Sequence, residues 1–172
     1  MRAIRTCVVA LALGMVSAPA LHAAETGATE PLQLSADHGE LDNAEGVSTY
    51  TGNVVVTRGS MRITGDELRV YRGDDGGVAR IEVEGDPATY RDEASASGAV
   101  DAQAPRMTYH ASAPERLHLE GGAQLQRGRD EFRGETLLYH IAGDRIEADR
   151  GDDGQRVEIK LYPENGDGGG GQ

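Results

Sequence analysis

Apolar and polar residues alternate over short stretches along most of the chain. The clearest alternation lies between Thr51 and Tyr71, where Gly59 and Gly65 interrupt it. Alternation with a period of two is typical of a half-buried β-strand, and glycine lets the backbone turn at little steric cost. The stretch therefore predicts three short strands. Their buried faces carry the pairs Val54 and Val56, Met61 and Ile63, and Leu68 and Val70.

The same stretch recurs 69 residues further along the chain. A weaker recurrence, in which an apolar alternation is followed by glycine, has about half that spacing, which is typical of stacked repeats. One such unit cannot bury its apolar face alone, so neighbouring units are expected to stack and share a core. The aligned pairs are Gly52 with Gly121, Arg58 with Arg127, Gly59 with Gly128, Ile63 with Phe132, Gly65 with Gly134 and Leu68 with Leu137.

The pattern as a whole predicts an all-β fold. No segment keeps an apolar period of 3.6 residues over three turns, and turn residues recur about every five to ten positions. We expect about 13–16 short antiparallel strands arranged as a jelly-roll or a roll of stacked hairpins. The chain has one phenylalanine and no tryptophan, so such a roll is expected to keep an apolar slot along its axis.

The two ends of the chain differ from its middle. Arg2 and Arg5 precede an apolar run over residues 7–16 and a small-residue region, which predicts a signal peptide over residues 1–23; an uncleaved membrane anchor is the alternative. Residues 24–30 are expected to form a flexible lead, residues 31–162 the roll and residues 163–172 a disordered glycine-rich tail. The only cysteine lies in the signal peptide, and a secreted β protein without cysteine favours a bacterial periplasm.

The chain is strongly acidic, with a net charge of −12. Removing Arg2 and Arg5 lowers the number of basic residues from 17 to 15 against 29 acidic ones, a net charge of −14. No block of five or more basic residues occurs, so nucleic acid is a poor partner. For the same reason, we expect an anionic lipid to be held by its apolar part with its charged head outside.

Several segments, taken in order, resemble the OstA/LptA family. The resemblance implies a twisted β-jelly-roll that is open at both ends. It also implies a periplasmic bridge that binds lipopolysaccharide through its lipid A acyl chains and carries it between the membranes for outer-membrane assembly, without catalysis or a cofactor. The implied partners are an LptC-like inner-membrane protein, the N-terminal domain of an LptD-like outer-membrane protein, and further copies of the chain stacked head to tail. The segments are Pro31–Asp37, Tyr50–Thr57, Ile63–Asp66, Pro87–Tyr90, Met107–Tyr109 and Leu119–Ala123.

The chain departs from the family pattern in two places. Gly121 and Gly122 stand where the family usually has an asparagine, and the tail is rich in glycine rather than basic. Neither departure falls on a residue predicted to line the slot.

Ten inward-facing apolar residues are the predicted lining of the lipid slot. Alternating apolar residues are by default an ordinary core; the resemblance favours a slot. Burying ten methylene groups would contribute about 8 kcal/mol before ordering costs, which is sufficient for binding without a charged contact. The predicted lipid-binding residues are Leu32, Leu34, Val54, Val56, Ile63, Leu68, Tyr90, Met107, Tyr109 and Leu119.

The terminal strands, at Leu32–Ala36 and Val157–Leu161, are expected to have unpaired edges. An unpaired edge is a template for another chain, so head-to-tail strand addition is predicted, with a capped monomer as the alternative.

No motif points to catalysis, a metal or a nucleotide. Arg58 and Arg127 occupy equivalent repeat positions beside a turn; they could meet lipid phosphates at the mouth of the slot, but the pattern favours solvated turn residues. The alternatives to a bridge protein are an LptC-like roll, an enzyme acting on envelope polysaccharide and a structural adhesion repeat. The histidines at His38, His110, His118 and His140 lack metal-ligand spacing, and Asp-Gly turns explain Asp74–Gly76 and Asp152–Gly154 better than calcium does.

Overall fold

The computed structural model describes residues 30–163 except positions 43, 96, 97, 153 and 155. The predicted signal peptide, and the predicted lead and tail apart from Glu30 and Pro163, lie outside the described residues. Within the described part the structure consists of ten β-strands. They are β1 (Gln33–Ser35), β2 (His38–Asp42), β3 (Val47–Arg58), β4 (Met61–Arg72), β5 (Val78–Asp92), β6 (Val100–His110), β7 (Arg116–Arg127), β8 (Asp130–His140), β9 (Arg145–Asp149) and β10 (Glu158–Lys160).

All ten strands belong to one antiparallel sheet. Strands β3 to β8 follow one another in sequence order, each hydrogen-bonded to the next. At one end of the sheet β1 and β2 both pair with β3, and at the other end β9 and β10 both pair with β8. The predicted all-β class and antiparallel pairing are confirmed.

The strands are fewer and longer than the sequence pattern predicts. Strands β3 to β8 have 11 to 15 residues each. Gly59 lies in a turn between two strands, as predicted, whereas Gly65 lies inside β4 where the register with β5 shifts. A register shift leaves the strand continuous, so one long strand appears in the sequence as two short ones.

A line of such shifts crosses the sheet and divides it into two arms. Every pair from β3 and β4 to β7 and β8 has an irregularity near its middle, where β-bulges bend a strand and increase its twist. Arm A contains residues 47–51, 67–72, 78–84, 106–110, 116–120 and 136–140 and is extended by β2 and β9. Arm B contains residues 54–58, 61–64, 88–92, 100–103, 123–127 and 130–134 and is extended by β1 and β10.

Both arms bury one face in the same core. The buried apolar residues, about half of them from each arm, form a single cluster. The two halves of one sheet can share a core only if they fold toward each other. The molecule is therefore a roll, bent along the line of bulges, with its apolar residues between the arms.

The bulges in β3 and β7 explain why glycine stands at position 122, where the family pattern usually has an asparagine. Gly52 and Asn53 both have positive φ, at 81° and 46°, and the equivalent Gly121 and Gly122 have φ of 90° and 86°. The left-handed region is open to glycine and, among other residues, mainly to asparagine and aspartate. Glycine at position 122 therefore takes the conformation that asparagine takes in the first repeat.

Candidate functional site

The ten residues predicted to line a slot all lie at the shared core. Eight of them are at most 1% exposed, and Leu32 and Leu34 are partly buried and pack against the same cluster. Both arms contribute, so the ten residues form one apolar surface across the fold. Arm A supplies Leu68, Met107, Tyr109 and Leu119, and arm B, with the adjoining β1 segment, supplies Leu32, Leu34, Val54, Val56, Ile63 and Tyr90.

The core residues between the arms are almost fully shielded from solvent in this conformation. A cavity of about 510 Å³ lies on the outer face of arm B, where its wall is formed largely by polar side chains such as Gln103 and Gln124. Of the ten predicted residues only Tyr90 contributes to that wall.

The free ends of the two arms meet along one side of the roll, which we call the seam. Arg58, at the end of arm B in β3, donates hydrogen bonds to the hydroxyl of Tyr109 and to both carboxylate oxygens of Glu115, the latter at 2.8 and 3.0 Å. The Tyr109 hydroxyl also donates to Glu115, at 2.9 Å. Strands β4 and β5 separate β3 from β6 in the sheet, so this contact forms across the roll.

A second contact of the same kind crosses the seam further along. Arg127, at the end of arm B in β7, donates to the carboxylate and the carbonyl of Asp144, at 3.0 and 3.3 Å. The Tyr139 hydroxyl lies 3.3 Å from an Asp144 carboxylate oxygen and 3.3 Å from the hydroxyl of Ser95. Because Arg58 and Arg127 are equivalent in the repeat, the repeat produces two arginine bridges across the seam.

The arginine bridges are largely shielded from solvent. The side chains of Arg58 and Arg127 are 19% and 21% exposed, so they are not solvated turn residues. Burial lowers the pKa of Arg58, but its contacts with Glu115 and Tyr109 outweigh that effect and the pKa is raised. Burial, helped by the hydrogen bond to Glu115, raises the pKa of Tyr109. The bridge thus joins a charged guanidinium to a neutral phenol and a carboxylate.

The ends of the roll carry exposed apolar side chains. Leu41 on β2 is 53% exposed, and at the opposite end Ile159 on β10 is 53% exposed, followed by Leu161 at 67% and Tyr162 at 44%. Within the described sheet, β1 and β10 each have a single neighbour. The two terminal strands predicted from the sequence are therefore edge strands. Ile159 lies on β10 itself, and Leu41 lies on β2, which pairs with the same strand as β1.

The structure places three of the scattered histidines close together. His110, His118 and His140 lie on the neighbouring strands β6, β7 and β8 and on the outer face of arm A, because they alternate with the core residues. In the part of the chain that the structure describes, no group of three or more His, Cys, Asp or Glu side chains could hold a metal ion. The sequence does not show this proximity, because strand register is a tertiary property.

These features define the class of the molecule: an all-β roll of stacked hairpins with an apolar interior, a bridged seam and a strand with one unpaired edge at each end. Helices of the length and hydropathy required to cross a membrane are absent from the described residues.

The chain is similar to known proteins in sequence and in fold. Residues 33–145 match the family described as LptA/(LptD N-terminal domain) LPS transport protein. The chain is 34% identical over 161 residues to the lipopolysaccharide export system protein LptA of Escherichia coli K12. The matched region covers 89% of this chain and 86% of that protein. It is 26% identical over 141 residues to the lipopolysaccharide export system protein LptH of Pseudomonas aeruginosa, covering 78% of this chain and 80% of that one.

A solved structure agrees with the sequence matches. The crystal structure of LptH, the LptA-homologous periplasmic component of the lipopolysaccharide transport device of Pseudomonas aeruginosa, superimposes with a TM-score of 0.70 at 27% identity. The match covers 78% of this chain and 96% of that chain. The chain belongs to the LptA/LptD N-terminal domain family of lipopolysaccharide transport proteins, and the predicted family is confirmed.

Proposed function

We propose that this chain is a periplasmic carrier that binds lipopolysaccharide by its acyl chains and passes it from the inner to the outer membrane. The observation that carries the proposal is the apolar surface shared by the two arms, in a fold whose relatives are lipopolysaccharide export proteins. The ten predicted residues would contact the acyl chains. The saccharide part of the lipid would stay outside the seam.

Acyl chains would enter by separating the arms at the seam. Each buried methylene group contributes about 0.8 kcal/mol, so ten of them contribute about 8 kcal/mol. Each charge-assisted hydrogen bond of an arginine bridge contributes at most about 1.5–3 kcal/mol. The contribution is smaller where water reaches the bridge. The two arginines make five such hydrogen bonds across the seam, so the free energy of lipid burial is of the same order as the cost of opening both bridges. Acyl chains also replace the apolar contacts that the arms lose.

The role is transport rather than a chemical reaction. The relatives are lipopolysaccharide transport proteins, and one of them is described as a periplasmic component. A periplasmic location for this chain agrees with the signal peptide predicted over residues 1–23. The free energy for moving lipid would then come from a partner.

The ends of the roll suit contacts with similar rolls. The edge strands offer unpaired main-chain groups, and the exposed Leu41 and Ile159 lie on strands at opposite ends of the sheet. Strand addition would join copies of this chain head to tail and join the terminal copies to an LptC-like protein and to the N-terminal domain of an LptD-like protein. A head-to-tail contact does not close, so it extends the roll into a bridge.

Photo-crosslinking tests where the lipid binds. A photoreactive amino acid at Met107 or Leu34 is expected to label purified lipopolysaccharide, because these side chains belong to the core between the arms and not to the wall of the outer cavity. Gln124 and Arg69, on the outer faces of arm B and arm A, serve as control positions. Labelling is read on a denaturing gel by immunoblotting for the lipid.

Equal labelling at inner and outer positions would contradict binding between the arms. Stronger labelling at Gln124 than at Met107 would place the lipid on the outer face and also contradict it. Circular dichroism of each labelled variant checks that the all-β fold is retained.

A further inference from the structure

A row of basic residues crosses the outer face of arm A. In the strand register Arg80 pairs with His110, His110 with Arg116, Arg116 with His140 and His140 with Arg145. Directly paired residues of an antiparallel sheet point to the same face. The row therefore forms one continuous surface feature on five neighbouring strands, which we call the basic ladder: Arg80, His110, Arg116, His140 and Arg145.

The basic ladder lies opposite the core. Its members alternate with the buried Ile81, Tyr109, Leu117 and Tyr139, which pair with one another on the inner face. With adjacent strands about 4.8 Å apart, five strands span about 19 Å. In a chain with a net charge of −12, counted with neutral histidines, three arginines and two histidines in one row are a local concentration of basic side chains, which favours anions.

The two ends of the ladder are neutralised by acids, and its centre is not. Glu82 lies 3.2 Å from Arg80, and Glu147 lies 2.7 Å from Arg145 and 3.1 Å from His140. The Nε atoms of both Arg80 and Arg116 are buried without a hydrogen-bond partner in the described structure, but only Arg80 has a carboxylate nearby. No ion pair of the described residues includes Arg116. The guanidinium of Arg116 is therefore the one in the row that no acidic side chain of the described residues neutralises, so its charge can attract an anion.

The electrostatics of His110 reflect this surplus of positive charge. Burial lowers the pKa of His110, and the charges of Arg116, Arg80 and His118 lower it further, against a smaller opposing effect of Glu82. An anion bound between His110 and Arg116 would favour the charged imidazolium and raise this pKa.

The ladder lies beside the seam. His110 directly follows Tyr109, which takes part in the first arginine bridge, and His140 directly follows Tyr139, which contacts Asp144 in the second. Successive residues of a strand are about 3.3 Å apart and point to opposite faces. A lipid whose chains lie between the arms would therefore place its head, on leaving the seam, next to the ladder.

We propose that the centre of the basic ladder, His110 and Arg116, binds phosphate groups on the saccharide head of the lipid that the roll carries. The proposal rests on the proposed function, because the acyl chains bring the head to the seam. Arginine suits phosphate because its planar donors bind two oxygens at once. The centre of the ladder lies on β6 and β7, away from the terminal strands, which favours a ligand of the seam over another roll.

The test compares two matched arginine variants. Arg116→Gln removes a positive charge from the ladder. Arg106→Gln is the control: it removes a positive charge from β6 on the same outer face of arm A, but Arg106 pairs with Glu84 and Glu120 instead of with basic residues. Binding of purified lipopolysaccharide, and of the same lipid after removal of its phosphates, is measured by fluorescence titration at low and high salt. Inorganic phosphate is titrated separately and followed by NMR of the histidine ring protons.

Four results are expected. The unchanged chain and Arg106→Gln bind the phosphorylated lipid about tenfold more tightly than the dephosphorylated one, the effect of one charge-assisted contact. Arg116→Gln loses that preference but keeps the affinity for the dephosphorylated lipid. The preference falls at high salt. Inorganic phosphate binds at least 100-fold more weakly than the lipid, because it lacks the acyl chains.

Other results would overturn the proposal. If Arg116→Gln still binds the phosphorylated lipid more tightly than the dephosphorylated one, the ladder does not bind the phosphate groups. Binding through the acyl chains would be unaffected by that result. If inorganic phosphate binds as tightly as the lipid, the ladder is a general anion site rather than one for the lipid head. If Arg116→Gln binds lipid normally but loses self-association in light scattering, the ladder is a protein contact. If the unchanged chain binds neither lipid, the proposed function fails and this proposal fails with it.

Discussion

At the scale of single residues, the arginine bridges decide how the roll is closed. Arg58 holds Tyr109 and Glu115, which belong to a strand three positions away in the sheet and to the turn that follows it. A mostly buried guanidinium with three hydrogen bonds stabilises the closed arms more than an exposed ion pair does, because solvent screens the latter.

Arg58→Met tests this bridge while it keeps the apolar stem of the side chain. We expect the free energy of unfolding to fall by about 1–2 kcal/mol, because Glu115 and Tyr109 lose their charged donor. Arg69→Met is the control: Arg69 pairs with Glu67, but both side chains are at least a third exposed, so we expect a change within about 0.5 kcal/mol. Urea denaturation measures both.

A double-mutant cycle isolates the pair itself. Combining Arg58→Met with Glu115→Gln should give a coupling free energy above about 0.5 kcal/mol. Additive effects, or an Arg69→Met variant as unstable as Arg58→Met, would show that the contact does not hold the seam.

At the scale of elements, the bulges turn one flat sheet into two arms. The bend in β3 uses Gly52 and Asn53 with positive φ, and the bend in β7 uses Gly121 and Gly122. Space is not the constraint at Gly122, since a Cβ atom there would have no neighbour within 4 Å. The backbone conformation alone selects the residue.

Substitutions at Gly122 should therefore follow conformational preference. Gly122→Asn copies the first repeat and should cost less than about 1 kcal/mol, whereas Gly122→Val should cost about 2 kcal/mol, because a β-branched residue disfavours the left-handed region. Gly143→Val is the control, since Gly143 also has free space around its Cβ position but no left-handed φ. Thermal unfolding ranks the variants, and equal midpoints for Gly122→Asn and Gly122→Val would refute the argument.

At the scale of the whole molecule, two properties oppose each other. A net charge of −12 makes copies of the chain repel, while unpaired edges and exposed apolar residues at both ends attract. The exposed apolar residues Leu41 and Ile159 lie on strands at opposite ends of the sheet, so a contact would be head to tail. Salt screens the repulsion and should strengthen association.

Ile159→Glu should weaken this association by removing apolar contact and adding charge at the edge. We expect the concentration for half-maximal assembly to rise at least about tenfold, the effect of about 1.4 kcal/mol. Gln126→Glu adds the same charge on the outer face of arm B and should leave assembly unchanged. Sedimentation velocity over a concentration series measures the association of both variants. A wild-type chain that stays monomeric at every concentration would contradict head-to-tail self-association.

Local patterns were sufficient to predict much of this fold. Alternation in pairs such as Val54 and Val56 predicted strands and their buried face, and the hairpin turn at Gly59 follows from local backbone chemistry. The number of strands was overestimated, because Gly65 has the same local signature whether it ends a strand or bends it. Only hydrogen bonding to the neighbouring strand distinguishes the two.

The sequence by itself determined an antiparallel all-β roll, its repeat and an apolar interior, because strand alternation and turn chemistry depend on residues a few positions apart. The tertiary structure alone decided that Arg58 reaches Glu115 and that Arg80, His110 and Arg116 form one row. Both depend on strand register and on the bend of the sheet. Register is set by the burial of a whole face at once, so residues distant in the chain become neighbours only when the arms fold together.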